Sequence, residues 1–309
     1  MRAVTVGTFG GPEVLELSEV PLPEPGPGEV RIRVGAAALN PVDVFARAGH
    51  LTAYLPKRDR YVLGLDVAGT VDALGGGVSG PAPGQAVVGL SPWLATVAGT
   101  HAEYVVLPAD AVTAAPAGAG VEAAATLPLN GTTASLAVDA LAVSAGDLVV
   151  VTGAAGGVGG YAVQLAAAKG AEVVAVAGAA DERLVRELGA ARFVERGDGA
   201  AERIRALAPA GVAGVVDAAA LGAPLIGAVR DGGRFAALLA PAAPEAERGI
   251  TVETVQQAPD AGRLAALVTD VEEGRLTLRV ARTFRLAEAA AAHALFAAGG
   301  VRGRIVLVP

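Results

Sequence analysis

The stretch Leu148-Val149-Val150-Val151-Thr152-Gly153-Ala154-Ala155-Gly156-Gly157-Val158-Gly159-Gly160-Tyr161-Ala162-Val163-Gln164-Leu165-Ala166 constrains the fold of this 309-residue chain more than any other. A β-branched run reads as a buried strand, a glycine cluster follows, and the apolar pattern then turns helical. Small residues at such a junction let the backbone turn tightly, let a pyrophosphate approach the helix N-terminus, and let helix and strand pack closely. The spacing Gly153, Gly156, Gly159 departs from the usual GxGxxG, with Ala155 near the place of the second glycine. Glycines alone also make ordinary turns. Set inside a strand-turn-helix-strand unit, these read as a nucleotide-binding loop.

The next strand, Glu172–Ala177, points to the kind of nucleotide. An NAD-binding unit carries an acid about 20 residues after the loop, at the end of the second strand, to hold the ribose hydroxyls. Here the strand ends in Gly178-Ala179-Ala180. The missing acid leaves room for a 2′-phosphate and favours NADPH over NADH. Arg183 is the nearest positive charge along the sequence, with Arg186 one turn further; each also fits a solvated helix residue behind an Asp181 N-cap.

Around this unit the chain changes character. Residues 1 to about 115 form short strands separated by Pro/Gly turns: Ala3–Val6, Leu15–Glu19, Glu29–Ala37, Val67–Leu74, Ala86–Leu90 and Ala102–Leu107. From about Val121, helical stretches alternate with the apolar strands Leu148–Thr152, Glu172–Ala177, Val215–Asp217 and Arg234–Leu239. That alternation predicts β-α-β crossovers and a parallel sheet. The last 30 residues return to short strands, Val280–Phe284 and Gly303–Leu307, around a helix over Leu286–Ala298. The fold class is α/β.

Composition excludes several functions. With no cysteine and only His50, His101 and His293, thiolate zinc sites, disulfides and cysteine nucleophiles are impossible, and no metal is expected. A net charge of −7, without a cluster of Lys or Arg, speaks against nucleic acid or an anionic membrane as a partner. The 53% hydrophobic content raises the question of a membrane span. The charge-free run Leu148–Ala168 is long enough for one, yet it holds five glycines and changes pattern halfway, as a buried strand, turn and helix would. The N-terminus reaches Gly10-Gly11-Pro12 too soon for a signal-peptide core, so the expected compartment is cytoplasmic.

Further segments carry a family resemblance: Phe9-Gly10-Gly11-Pro12-Glu13-Val14-Leu15, Pro25-Gly26-Pro27-Gly28-Glu29-Val30, Asn40-Pro41-Val42-Asp43, Gly64-Leu65-Asp66-Val67-Ala68-Gly69, Leu127-Pro128-Leu129-Asn130-Gly131-Thr132-Thr133-Ala134 and Val301-Arg302-Gly303-Arg304-Ile305-Val306-Leu307. In this order, together with the glycine loop, they resemble the zinc-independent quinone oxidoreductases, the zeta-crystallin-like branch of the medium-chain dehydrogenase/reductase superfamily. The resemblance implies a β-rich GroES-like catalytic domain over 1–120, completed by 282–309, and a Rossmann doubly wound parallel-sheet domain over 121–281. It also implies an active site in the cleft and a homodimer in which the strand near Ile250-Thr251-Val252 takes part. Zinc-dependent relatives carry Gly-His-Glu where this chain has Gly64-Leu65-Asp66. Without a Lewis acid, alcohol oxidation loses its main driving group, whereas an electron-poor conjugated acceptor needs none.

Carried onto this sequence, the resemblance places Asn40 and Asp43 in the active-site loop, with Asn40 also near the cofactor, and Thr133 at the nicotinamide end. Ala155, Gly156, Gly157 and Val158 would hold the pyrophosphate between Gly153 and Gly159, Gly178 would border the adenosine ribose, and Arg183 and Arg304 would lie near the cofactor. Each has a plainer reading: Asn40-Pro41 as a turn, Asp43 as a helix cap, Thr133 as a helix-start residue, Arg304 as a surface charge. Where the family often has a tyrosine, this chain has Phe45, which cannot donate a proton; water, Asn40, Tyr54 or His50 would have to serve. Phe45, Tyr54, Trp93 and Gln256-Gln257 would form the substrate wall. The implied activity is NADPH-dependent hydride transfer to a small hydrophobic quinone or enone, a tailoring enoyl reductase of secondary metabolism included. A dinucleotide-binding sensor or structural protein with little turnover is the alternative.

Overall fold

The computed structural model describes the whole chain, Met1–Pro309, which divides into two compact units. The first comprises Met1–Leu129, Ala258–Glu272 and Leu278–Pro309, and the second comprises Asn130–Gln257 and Glu273–Thr277.

In the first unit the chain forms β1 (Arg2–Val6), β2 (Leu15–Glu19), β3 (Glu29–Ala38), β4 (Tyr61–Val62), β5 (Asp66–Leu74), β6 (Ala86–Leu90), β7 (Tyr104–Pro108) and β8 (Val112–Ala114). Strand β3 is the hub. Val30, Ile32 and Val34 point into the core while Arg31 and Arg33 turn outward, the alternation of a strand with one buried face. It pairs antiparallel with both β5 and β7.

The second unit contains β9 (Leu148–Thr152), β10 (Glu172–Ala177), β11 (Arg192–Glu195), β12 (Val212–Asp217), β13 (Val229–Ala237) and β14 (Thr251–Thr254). All are parallel, in the order β11-β10-β9-β12-β13-β14. Val149, Val150 and Val151 of the central strand are fully buried, which is why β9 reads as an unbroken apolar run. Strand order reverses between β9 and β12, and the glycine loop follows β9 at that switch point, where open α/β sheets bind their ligands. The charge-free run Leu148–Ala168 is thus β9, the loop and the helix Gly157–Ala168, and no helix is long and apolar enough to cross a membrane.

The tail returns to the first unit as β15 (Val280–Arg285) and β16 (Arg304–Val308), with β16 lying between β15 and β3. The unit boundaries differ from 120/121 and 281/282. Gly35 leaves space that Val121 fills, since a Cβ there would lie 2.6 Å from Val121 Cγ2, and this keeps the chain with the first unit beyond residue 120. The helix Ala261–Glu272 also belongs there: it buries Leu264, Leu267 and Val268, packs on β8, and its Glu272 accepts a hydrogen bond from Ala117 N at 2.8 Å.

Candidate active site

The loop after β9 is built on contacts that side chains would block. Gly153 has φ +58°, and a Cβ on Gly159 would lie 2.2 Å from Gly153 O, so the first turn of the helix sits directly on the loop backbone. A Cβ on Gly156, the helix N-cap, would lie 3.0 Å from the same oxygen. Two strand ends brace the loop from behind. Thr152 Oγ1 donates to Asp217 Oδ1 at 2.6 Å and accepts from Ala219 N at 3.0 Å; Leu221 N and Gly222 N donate to the Asp217 carboxylate at 3.1 and 2.7 Å. In the sequence Asp217 is marked only as an acid that ends a buried apolar strand. The loop and the N-terminus of the helix Gly157–Ala168 together form a backbone surface kept free of side chains at Gly153, Gly156 and Gly159, of the kind that suits a phosphate group.

At the end of β10, Gly178 is partly exposed. Arg183, expected nearby, is 90% exposed and pairs with Glu187 at 3.2 Å, while Arg186 pairs with Glu182 at 2.8 Å. The cation beside Gly178 is Arg196 instead: a Cβ on Gly178 would lie 3.7 Å from its Nε. Arg196 follows the short edge strand β11, and its N–H bonds Ala177 O at 2.7 Å. Parallel pairing of Ala177 with Glu195 brings these distant positions together, which spacing along the chain does not reveal.

The first unit holds the other expected residues in one buried network. Asn40 Nδ2 donates to Asp66 Oδ2 at 2.8 Å and to Ala38 O at 3.2 Å, and its Oδ1 accepts from Arg304 Nη2 at 2.5 Å. Arg304 Nη2 also donates to Leu39 O at 2.7 Å. Asp43 accepts from Asn40 N and Gly64 N at 2.8 and 2.9 Å, and Asp66 accepts from Leu129 N at 2.5 Å. Asn40, Asp43, Asp66 and Arg304 are all buried, so the surface reading of Arg304 does not hold. Burial pushes the Asp43 carboxyl up to about 7, against the backbone N–H groups of Asn40 and Gly64 that hold it down. Burial raises Asp66 to about 6, opposed first by the Arg304 charge.

Near this network lie His101 and His293, ring centroids 6.4 Å apart, with Arg47 Nη1 at 3.2 Å from His293 Nδ1. Burial lowers them to about 4 and about 3, so both imidazoles are neutral at pH 7.

Trp93 does not present a wall to solvent: it is 1% exposed, packs with Leu63, Leu65 and Leu90, and donates Nε1–H to Val62 O at 2.7 Å. An indole among aliphatic side chains, with its one donor satisfied, is a core residue. Phe45 and Tyr54 are exposed, and Phe45 meets the His50 ring edge-on at 6.2 Å. In the second unit Thr133 is partly buried on the helix Pro128–Ala140, and Gln256 is exposed.

A zinc ion does not fit the network. Its donors are carboxylates and an amide already engaged by N–H groups, and the Arg304 guanidinium, 3.6 Å from Asp66 Oδ2, supplies the positive charge. The chain has no cysteine to complete a nitrogen and sulfur set.

A GroES-like β unit and a six-stranded parallel unit with a glycine cradle define a nicotinamide-type dehydrogenase or reductase scaffold. Residues 26–117 match the family described as alcohol dehydrogenase GroES-like domain, and residues 188–307 match that described as zinc-binding dehydrogenase. A quinone oxidoreductase of Sus scrofa is 40% identical over 182 residues, 58% of this chain and 53% of that protein, so the match spans about half the relative's length. Two solved structures align over all of this chain and all of their own: an NAD-dependent alcohol dehydrogenase, 37% identical with TM-score 0.88, and a mycobacterial protein complexed with NADPH, 28% identical with TM-score 0.85. The chain belongs to the medium-chain dehydrogenase/reductase superfamily.

Proposed function

We propose that the chain is an NADPH-dependent reductase of small hydrophobic quinones or α,β-unsaturated carbonyls. The observation that carries this reading is the loop Gly153–Gly159, whose backbone forms a cradle that side chains would close, set at the sheet's switch point. When bound, the reduced nicotinamide supplies a hydride, which with a proton from water completes a two-electron reduction. The chain's own residues bind and orient. The loop backbone receives the pyrophosphate, Gly178 borders the ribose, and Thr133 serves the nicotinamide end. Asn40, Asp43 and Arg304 act as positioning residues, because their polar groups hold one another inside the fold. Phe45 and Tyr54 offer apolar surface to a flat acceptor.

The exposed edge of β14 supports a homodimer through the second unit. The compartment proposed is the cytoplasm. A second reading, NAD-dependent alcohol oxidation, is favoured by the 37%-identical neighbour, but the donor set that does not suit zinc speaks against it. Following 340 nm absorbance with NADPH or NADH and a panel of quinones, enones and alcohols separates the readings. Oxidation of NADPH by a quinone or enone is expected; tight NADPH binding without turnover by any acceptor would leave a sensor.

A further inference from the structure

At the carboxyl ends of β10 and β11 the second unit displays a cation without an ionic partner. Neighbouring arginines are held: Arg183 by Glu187, Arg186 by Glu182, Arg192 by Glu172 at 3.0 Å, and Arg203 by Asp198 O and Glu195 O at 2.9 and 2.7 Å. Arg196 is exposed, and no carboxylate of the chain pairs with its guanidinium. Its backbone is fixed by the bond to Ala177 O, and its Nε and Cζ lie 3.7 and 3.9 Å from where a Gly178 side chain would begin. The guanidinium thus lies within van der Waals reach of the Gly178 backbone position.

One acid shares the corner. Asp181 closes a short 3-10 turn over Ala179–Asp181, and its Oδ2 would lie 3.1 Å from the same Gly178 Cβ. Asp181 is only 6% exposed, whereas Arg196 is open to solvent. Of these two charged groups the guanidinium is the one that an arriving ligand can reach.

We propose that Arg196 is the residue that selects the phosphorylated dinucleotide, its guanidinium receiving the adenosine 2′-phosphate across Gly178. The inference rests on the dinucleotide reading and names the residue that sets the choice of cofactor. A guanidinium meets a phosphate with two parallel N–H groups, and a phosphate dianion gains more from it than a ribose hydroxyl does. NADH has nothing to offer Arg196 beyond that hydroxyl.

The test measures dissociation constants of NADPH, NADH, 2′,5′-ADP and 5′-ADP for the full chain and for Arg196→Ala, Arg196→Lys and Asp181→Asn, each at low and high salt. Wild type should prefer NADPH over NADH and 2′,5′-ADP over 5′-ADP. Arg196→Ala should weaken NADPH about tenfold to a hundredfold, the loss of a charge-assisted contact, and leave NADH within about twofold. Arg196→Lys should fall between. The exposed contact should make NADPH binding more salt-sensitive than NADH binding, and Arg196→Ala should remove the difference. An equal effect of Arg196→Ala on both cofactors, or none on either, overturns the assignment while leaving the dinucleotide reading standing. So does a cofactor ratio that responds to Asp181→Asn and not to Arg196→Ala. Failure of wild type to bind any of the four ligands overturns both.

Discussion

Arg304 Nη2 and Asp66 Oδ2 lie 3.6 Å apart inside the first unit, joined through the Asn40 amide that bonds both. Neither charge reaches solvent, so each depends on the other. Arg304→Met should destabilise the protein by about 3–5 kcal/mol, because Asp66 is then buried without its counter-charge. Urea unfolding measures this. A loss below about 1 kcal/mol would show that Asn40 and Leu129 N suffice to hold the carboxylate.

The buried acids and histidines pull the pH dependence of stability in opposite directions. Asp43 and Asp66 have folded-state values raised to about 7 and about 6, so they bind protons more tightly when folded; their contribution is present below about pH 4 and lost as pH rises through 6 to 7. His101 and His293, lowered to about 4 and about 3, contribute stability above about 6.5 that is lost as pH falls. Between pH 4.5 and 6.5 the two effects offset. Wild type should therefore melt at a nearly constant temperature across that window, and Asp66→Asn, which lacks one of the acids, should lose stability more steeply on acidification. Parallel pH profiles for the two proteins would refute this account.

Gly159→Ala puts a methyl group 2.2 Å from a backbone oxygen that cannot move aside without shifting the loop. It should lower stability by about 1–3 kcal/mol and abolish dinucleotide binding. Gly156→Val meets the same oxygen at 3.0 Å and should abolish binding with a smaller effect on melting. Fluorescence titration with NADPH and thermal melts of both variants report the two effects separately, and retained affinity in either would move the cradle elsewhere.

Phe45 is 43% exposed, so a hydroxyl can be added there at little cost to the fold. Phe45→Tyr should leave stability within about 0.5 kcal/mol and raise enone turnover about tenfold or more by offering a proton. An unchanged kcat would mean that solvent protonates the product unaided.

Much of this architecture can be read in the residues themselves. β9 and β10 announce themselves because strands buried on both faces must be apolar throughout, and the glycine loop because its turn excludes side chains. β11 is harder to see: Arg192 and Glu195 flank only Phe193 and Val194, an edge strand with little apolar content. Arg196 stays hidden with it, since its place beside Gly178 follows from strand register. Asn40 and Arg304 are visible as residues but not as partners, because pairing of β16 with β3 is set by long-range packing. Trp93 misleads for a related reason: an aromatic near expected site residues reads alike in sequence whether it lines a pocket or fills the core behind it.

The late arrival of β16 also bears on how the molecule is made. Asn40 and Arg304 are 264 residues apart, and β16 must slot between β3 and β15 before the buried carboxylates gain their counter-ion. The parallel sheet of the second unit is assembled from the chain between, so on the ribosome it is complete while the first unit still waits with an open sheet edge and an uncompensated acid. The strand that emerges late is the one that locks a domain begun by the earliest residues, and that interval is when this chain most needs protection from aggregation.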